Sequence, residues 1–185
     1  MRNNFFENGN YFKNGKVLPL AIFIFFLALY VLTSSAQLIH VDEVTKYLVT
    51  KSIVERGSLD VDIKFDTILH SGKYYSVFGP AIPFLGIPFY ITGRFLDKFI
   101  TGVPGGGMSK VVYSMMAPLY TALTCLIFFL FSIAFGYSRK TSIWLTLVYG
   151  LTTMVWYYSR LLYTDGLPAL FLLWTVYMQI GRAHV

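Results

Sequence analysis

An acidic pair, Asp42 and Glu43, stands a few residues after the first long apolar run of the chain, residues 17–36. A carboxylate beside a lipid bilayer is costly unless it is paired, hydrated or used in a reaction. A well-placed carboxylate can serve as a general base that takes a proton from an attacking hydroxyl group. The position of this pair makes it the first candidate for a functional site.

Both acids also have structural explanations. Asp42 can cap the helix that the following residues predict, which would contribute about 1 kcal/mol to stability. Glu43 would lie in the first turn of that helix, where a negative charge complements the helix dipole. The residue types alone leave the functional and the structural explanation open for each acid.

Asp165 and Arg160 form a second group of ionisable residues, near the start of the last apolar run. Asp165 precedes a Gly-Leu-Pro sequence and can act as an N-cap there, although acids at a membrane edge are often functional. Arg160 can bind a phosphate group through two parallel hydrogen bonds. Its structural alternative is an interfacial arginine that extends towards the lipid headgroups beside neighbouring tyrosines.

The residue pattern predicts no metal site. His40 and His70 stand at unrelated positions and do not form a ligand motif. A divalent cation therefore has no support as a cofactor. The single cysteine, Cys125, lies inside an apolar run, so an intramolecular disulfide is excluded and a packing role is expected.

The composition is that of a membrane protein. Hydrophobic residues make up 56% and aromatic residues 18% of the 185-residue chain, and the mean hydropathy is +0.59. The net charge of +6 does not indicate a nucleic-acid partner, because the basic residues flank apolar runs instead of clustering on one polar face.

The apolar runs predict an all-α polytopic membrane protein with a cytoplasmic tail at 1–16. At about 1.5 Å rise per residue, a run of twenty residues matches the ~30 Å hydrocarbon thickness of a bilayer. The first run is also longer than the hydrophobic region of a signal peptide, so we expect it to stay in the chain. The transmembrane helices are predicted at 17–36, 109–136, 141–158 and 162–179.

The short apolar segment 81–95 allows two topologies. Basic residues before the first run place the N-terminus in the cytoplasm. If 81–95 crosses the membrane, the basic pair at 139–140 falls outside, and Asp165 lies on the opposite face from Asp42. If 81–95 lies in the outer interface, that basic pair returns to the cytoplasm, and Arg160 and both acids share one face. We favour the second topology because it obeys the charge rule.

The loop 37–108 is expected to be extracytoplasmic and to have structure of its own. Apolar residues at helical spacing, with Gly57 at the end, predict a helix over 43–56. Alternating apolar and polar residues predict a short hairpin over 59–77, which turns at Ser71-Gly72. An interfacial helix is predicted over 80–98.

The last residues, 180–185, match what one reading frame of a common sequencing-library adapter would encode. We therefore interpret them as an assembly scar without a functional role. On that interpretation the chain is the N-terminal part of a longer protein.

Three stretches of the chain together resemble a known superfamily. They are HVDEVTKYLVTKSIVERGSLDV (40–61), GKYYSVFGPAIPFLGIPFYITGRF (72–95) and WYYSRLLYTDGLPALFLLW (156–174). After a first membrane helix, this order and spacing is similar to the N-terminal part of GT-C glycosyltransferases that use polyprenyl-phosphate sugars. That superfamily includes the protein O-mannosyltransferases and the aminoarabinose lipid A transferase. The resemblance covers nearly all of residues 17–179.

The resemblance implies a multi-pass enzyme of the cell membrane that transfers a sugar from a polyprenyl-phosphate carrier to an extracytoplasmic lipid, glycan or protein. Asp42 matches the acid that serves as the candidate catalytic base in that superfamily. Asp165 would face the same cavity, and Glu43 is a weaker candidate for an acidic partner. Arg160 would neutralise the phosphate of the donor, since such a contact strengthens as the leaving group gains charge.

Tyr74 and Tyr75 belong to the stretch that is most similar to the superfamily, and their implied role is to shape the wall of the cavity. The chain departs from the pattern at two neighbouring positions. Relatives often have a lysine where Val77 stands, so a phosphate contact from that position is not carried over. The aminoarabinose transferases have a metal-binding glutamate near Phe78, and its absence here removes their metal site.

A fragment of a membrane transporter or of a lipid-linked-sugar flippase is the main alternative, in which Asp42, Arg160 and Asp165 would bind or gate a substrate. A non-catalytic membrane scaffold is a third possibility. A large structured loop after the first helix favours the enzyme, since transporters more often show broken helices at midplane depth and internal repeats. The sequence does not identify the sugar, the acceptor or the oligomeric state.

Overall fold

The computed structural model describes residues 17–100, 102–103, 107–162 and 166–183, with the backbone alone for 181–183. The described part is mostly helical, with one small sheet. The helices are α1 (Val17–Thr33), α2 (Val41–Arg56), α3 (Ala81–Leu96), α4 (Met108–Ser114), α5 (Met116–Ala134), α6 (Arg139–Thr152), α7 (Met154–Tyr158) and α8 (Gly166–Ala183). The strands are β1 (Asp60–Val61), β2 (Thr67–His70) and β3 (Lys73–Ser76).

Helix α5 is the centre of the packing, since it contacts α1, α6 and α8. One hydrophobic cluster joins α5 to α1 through Phe26, Tyr30 and Cys125. A second cluster joins α5 to α2, α3, α4 and α8 and includes Tyr47 of α2 and Leu162, which follows α7. The start of α2 and the segment before α8 therefore share one core.

Helix α2 begins earlier than the predicted 43–56 and has a different N-cap. The cap residue is His40 in an extended conformation, and its backbone N–H donates to the Glu43 carboxylate at 3.0 Å. Asp42 lies inside the first turn, so the prediction that it caps this helix is wrong. The helix ends as expected, because Gly57 adopts a left-handed conformation (φ 64°) that glycine tolerates without strain.

The predicted hairpin is present and belongs to a three-stranded antiparallel sheet of order β1-β3-β2. Strands β2 and β3 turn at Ser71-Gly72, and both residues have positive φ angles of 50° and 79°. Two such residues form the kind of turn whose twist matches the right-handed twist of a hairpin. Val61 of β1 pairs with Tyr74 of β3, so the strand that follows α2 along the chain belongs to this sheet.

Helices α2, α3 and α4 are held together by buried polar contacts and by glycines that allow close approach. The Tyr47 hydroxyl hydrogen-bonds to Ser109 Oγ at 3.0 Å, and Thr50 Oγ1 donates to the carbonyl of Pro83 at 2.9 Å. At Gly93, an added Cβ would lie 2.4 Å from Ser109 Cα, which no backbone could accommodate in place. These contacts form the support on which α2 rests.

The structure does not support four membrane-spanning helices. Among the described residues, Met108–Ala134 is the one helical stretch that is long and apolar enough to cross a membrane. Shorter apolar helices occupy Val17–Thr33, Ala81–Leu96 and Gly166–Ile180. The coarser prediction, a mainly α-helical fold, agrees with the structure.

The prediction of one helix over 141–158 is wrong. Thr153 adopts an extended conformation (φ −102°, ψ 179°), which separates α6 from α7. Its side chain then caps α7 by accepting a hydrogen bond from the N–H of Val155. At about 1.5 Å per residue, the 14 residues of α6 are too short to cross a bilayer unaided.

Candidate functional site

The face of α2 that points into the protein is polar. Glu43, Lys46, Tyr47 and Thr50 recur at helical spacing, and all of them are buried. Val54, an apolar residue whose helical spacing predicts burial, instead exposes 38% of its surface. Buried polar groups are costly unless they are hydrogen-bonded. The hydrogen-bond partners of these side chains therefore show which other segments belong to the site.

Asp42 lies at the edge of this polar face, in the first turn of α2. Its Oδ2 accepts a hydrogen bond from Lys46 Nζ at 3.2 Å, one helical turn away. The Asp42 side chain is 16% exposed, whereas that of Lys46 is 1% exposed. Within the described residues Oδ1 of Asp42 makes no hydrogen bond. The carboxylate is thus held by one oxygen and leaves the other one free.

Two further contacts fix the Lys46 ammonium. It donates to the backbone carbonyl of Leu162 at 3.0 Å. It also lies 4.9 Å from the centre of the Phe78 ring, within the range of a cation–π interaction. Leu162 follows α7 and Phe78 follows β3, so Lys46 joins these two segments to the start of α2.

Glu43 is buried and binds backbone groups with both carboxylate oxygens. One oxygen accepts from the N–H groups of Ile39 at 2.8 Å and His40 at 3.0 Å. The other accepts from the N–H of Leu162 at 2.5 Å. The backbone of Leu162 is therefore held from both sides, its N–H by Glu43 and its carbonyl by Lys46. This arrangement accounts for Glu43 structurally, and a role as acidic partner of Asp42 stays a prediction.

Arg160 lies just before Leu162 and exposes its side chain. The guanidinium forms no ion pair with any residue in the described part of the chain, which leaves its hydrogen-bond donors available. Asp165, the other candidate of this region, lies outside the described residues. The prediction that it shares a cavity with Asp42 is therefore not tested here.

Tyr74 and Tyr75 lie on β3 and are half-buried. Tyr75 stacks edge-on with His70, with 6.4 Å between ring centres. Tyr74 lines a shallow polar cavity on the sheet together with Asp60 and Lys73. The contact between the β3 segment and the Asp42–Lys46 pair is made by Phe78, not by either tyrosine. Their predicted role as the wall of the active-site cavity stays a prediction.

No group of three or more potential metal ligands occurs in the part of the chain that the structure describes. The ionisable residues around Asp42 are instead used in ion pairs and backbone contacts. Burial raises the pKa of the neighbouring Tyr47 hydroxyl, an effect that its hydrogen bond with Ser109 opposes. Tyr47 is therefore a neutral support of the site.

Sequence reasoning missed Lys46 and Leu162. A lysine four residues after Asp42 looks like an ordinary exposed helix pair. A signal was nevertheless present, because Lys46 shares the helical face of Glu43 and Tyr47. The contact with Leu162 spans 116 residues, and no local pattern reports a contact of that range.

No protein-family model, curated protein or solved structure matches this chain.

Proposed function

We propose that this protein is an integral-membrane glycosyltransferase of the GT-C type, which transfers a sugar from a polyprenyl-phosphate carrier to an extracytoplasmic lipid, glycan or protein. The observation that carries the proposal is the Asp42 carboxylate, held by one oxygen against a buried ammonium while the other oxygen makes no hydrogen bond within the described residues. A base needs such a fixed, accessible oxygen to receive the proton of an attacking hydroxyl.

Exposed apolar surface on several helices supports a location in a membrane. Large hydrophobic side chains are exposed along α1, α3, α6 and α8, among them Leu20 at 57%, Phe84 at 51%, Trp144 at 61% and Leu172 at 70%. Soluble monomers rarely expose extended apolar patches, whereas lipid covers such surfaces at no cost. We infer a multi-pass protein of the cell membrane with a cytoplasmic N-terminus, as the basic residues before the first helix indicate.

The order of the elements supports a site at the membrane surface. Helix α2 follows the apolar helix α1 after a short connection, so Asp42 lies close to one end of α1. The contacts of Glu43 and Lys46 bring Leu162, the residue that precedes the last apolar segment, to the same place. Arg160 belongs to this segment, forms no ion pair with a described residue, and can bind a phosphate through two parallel hydrogen bonds.

These positions suit one reaction. The Asp42 carboxylate takes the proton of the acceptor hydroxyl while the hydroxyl oxygen bonds to the anomeric carbon of the sugar. The bond between that carbon and the phosphate oxygen breaks, and polyprenyl phosphate leaves with the electron pair. Arg160 stabilises the charge that develops on the phosphate. No cofactor other than the lipid-linked donor is required by this scheme.

A reconstitution experiment separates transfer from transport. The intact protein is placed in liposomes with a panel of polyprenyl-phosphate hexoses and pentoses, and a membrane extract of the natural host supplies the acceptor. Mass spectrometry is expected to detect free polyprenyl phosphate and a sugar-bearing product. Movement of the intact lipid-linked sugar across the bilayer, without cleavage, would instead identify a flippase.

A further inference from the structure

Lys46 lies in a position that lysines usually avoid. Its side chain is almost completely buried, although a flexible four-carbon stem would allow the ammonium to reach water. Removing an ammonium from water is costly unless a negative group and further acceptors replace the lost hydration. A second lysine on α2, Lys51, shows the ordinary arrangement, with 47% of its side chain exposed and its partner Glu55 at 3.9 Å.

We propose that Lys46 is the positioning residue of the catalytic base: its buried ammonium fixes Asp42 by one oxygen and keeps the other oxygen free for the acceptor proton. The inference rests on the proposed function, because it assigns Asp42 as the base. The ammonium is held by three contacts. It lies within hydrogen-bond distance of Asp42 and of the Leu162 carbonyl, and close to the Phe78 ring.

This arrangement has an electrostatic consequence. The attraction between an ammonium and a carboxylate is stronger where the contact is shielded from water, and the Lys46 side chain is almost completely buried. Among the described residues, the ionisable side chains at the start of α2 are His40, Glu43 and Tyr47, and the segment after α7 brings Arg160. The segment after β3 brings Phe78 but no ionisable residue. Within the described part of the chain, Lys46 is the residue that forms an ion pair with Asp42.

The first test is how kcat and KM for sugar transfer divide the effect of Lys46→Met, measured on the intact protein with a polyprenyl-phosphate sugar that the wild type uses. Methionine keeps most of the stem and removes the charge. Without the ammonium the Asp42 carboxylate is no longer fixed beside the acceptor hydroxyl, so kcat should fall about tenfold or more while KM for the donor changes little.

Two variants serve as controls for this test. Lys46→Arg keeps the positive charge and should recover most of the kcat that Lys46→Met loses. Lys51→Met removes a cation from the exposed pair on the same helix and should leave kcat and KM unchanged. A kcat of Lys46→Met equal to that of the wild type would overturn the proposal.

A second test needs no activity. Thermal unfolding is compared for Asp42→Asn, Lys46→Met and the double variant, with Lys51→Met and Glu55→Gln as the matched exposed pair. Asp42→Asn leaves a buried ammonium without its counter-charge, so adding Lys46→Met should raise the unfolding temperature above that of Asp42→Asn alone. The exposed pair should show additive effects. Additive effects at Asp42 and Lys46 as well would overturn the proposal.

The two tests also separate this inference from the proposed function. If wild-type protein transfers no sugar while the thermal cycle shows coupling, the assignment of Asp42 as a base fails and the proposal fails with it, although the ion pair stands. If Asp42→Asn abolishes transfer but Lys46→Met keeps the wild-type kcat, the enzyme stands and the positioning role of Lys46 alone is refuted.

Discussion

Replacing Glu43 with alanine is expected to destabilise the fold strongly, because one buried carboxylate satisfies backbone N–H groups from two distant parts of the chain. The bonds to Ile39 and His40 lie at a partly exposed helix end, where water can replace the lost acceptor. The N–H of Leu162 is buried, so its partner cannot be replaced in this way.

The size of the effect follows from these environments. An unsatisfied buried donor costs about 1–3 kcal/mol, and each of the two exposed bonds contributes roughly 0.5–1 kcal/mol. The free energy of unfolding should therefore fall by about 2–5 kcal/mol in Glu43→Ala. Glu43→Gln keeps one carbonyl oxygen, which can accept either from the N–H groups of Ile39 and His40 or from the N–H of Leu162. The decrease in the free energy of unfolding should therefore be about half as large as in Glu43→Ala.

Unfolding in mixed detergent micelles, followed by helical circular dichroism, measures this loss. Asp62→Ala is a suitable control, because the Asp62 side chain is 84% exposed and pairs with Arg56 on the surface. Hydrogen exchange adds a local readout, since the amide of Leu162 should exchange faster in Glu43→Ala. An unfolding free energy equal to that of Asp62→Ala, with unchanged exchange at Leu162, would refute the role assigned to Glu43.

Two further predictions concern the packing of α2, α3 and α4. Gly93→Ala should lower the free energy of unfolding by about 1–3 kcal/mol, because the added Cβ meets the backbone of Ser109. Gly79→Ala is the control and should cause no such loss, because its Cβ would have open space. Equal unfolding midpoints of the two variants would contradict this prediction. Since burial raises the pKa of Tyr47 above its ordinary value of 10.0, its contribution to stability is full below pH 10 and is lost as the pH rises further. Unfolding midpoints measured from pH 8 upwards should thus fall less steeply above pH 10 in Tyr47→Phe than in the wild type, and parallel curves would count against this.

Features with a local cause could be predicted from the sequence. The hairpin turn at Ser71-Gly72 and the helix end at Gly57 depend on residues that tolerate positive φ angles, and such residues are visible in the chain. Apolar runs likewise predicted where most helices lie. The break at Thr153 was missed, because a threonine within an apolar run carries no strong signal for ending a helix.

The site itself could be predicted only in part. Asp42 was found because acids near a membrane are unusual, but its partner was not, since a lysine on a helix is exposed in most proteins. Burial of Lys46 depends on Leu162 and Phe78, which the tertiary fold brings from other segments. The sequence predicted Asp42 as the N-cap of α2, because aspartate is preferred at that position. In the structure the N-cap is His40.

The most direct test of the account is the rate of sugar transfer by Asp42→Asn in the intact, membrane-embedded protein. The comparison uses Asp62→Asn as the exposed control and temperatures at which both variants are folded, because Asp42→Asn also removes the counter-charge of Lys46. General-base catalysis contributes about 10²–10⁴ to the rate, so release of polyprenyl phosphate should fall at least a hundredfold in Asp42→Asn and stay near wild type in Asp62→Asn. A rate for Asp42→Asn within a few-fold of the wild type would contradict the central claim that this carboxylate is the base.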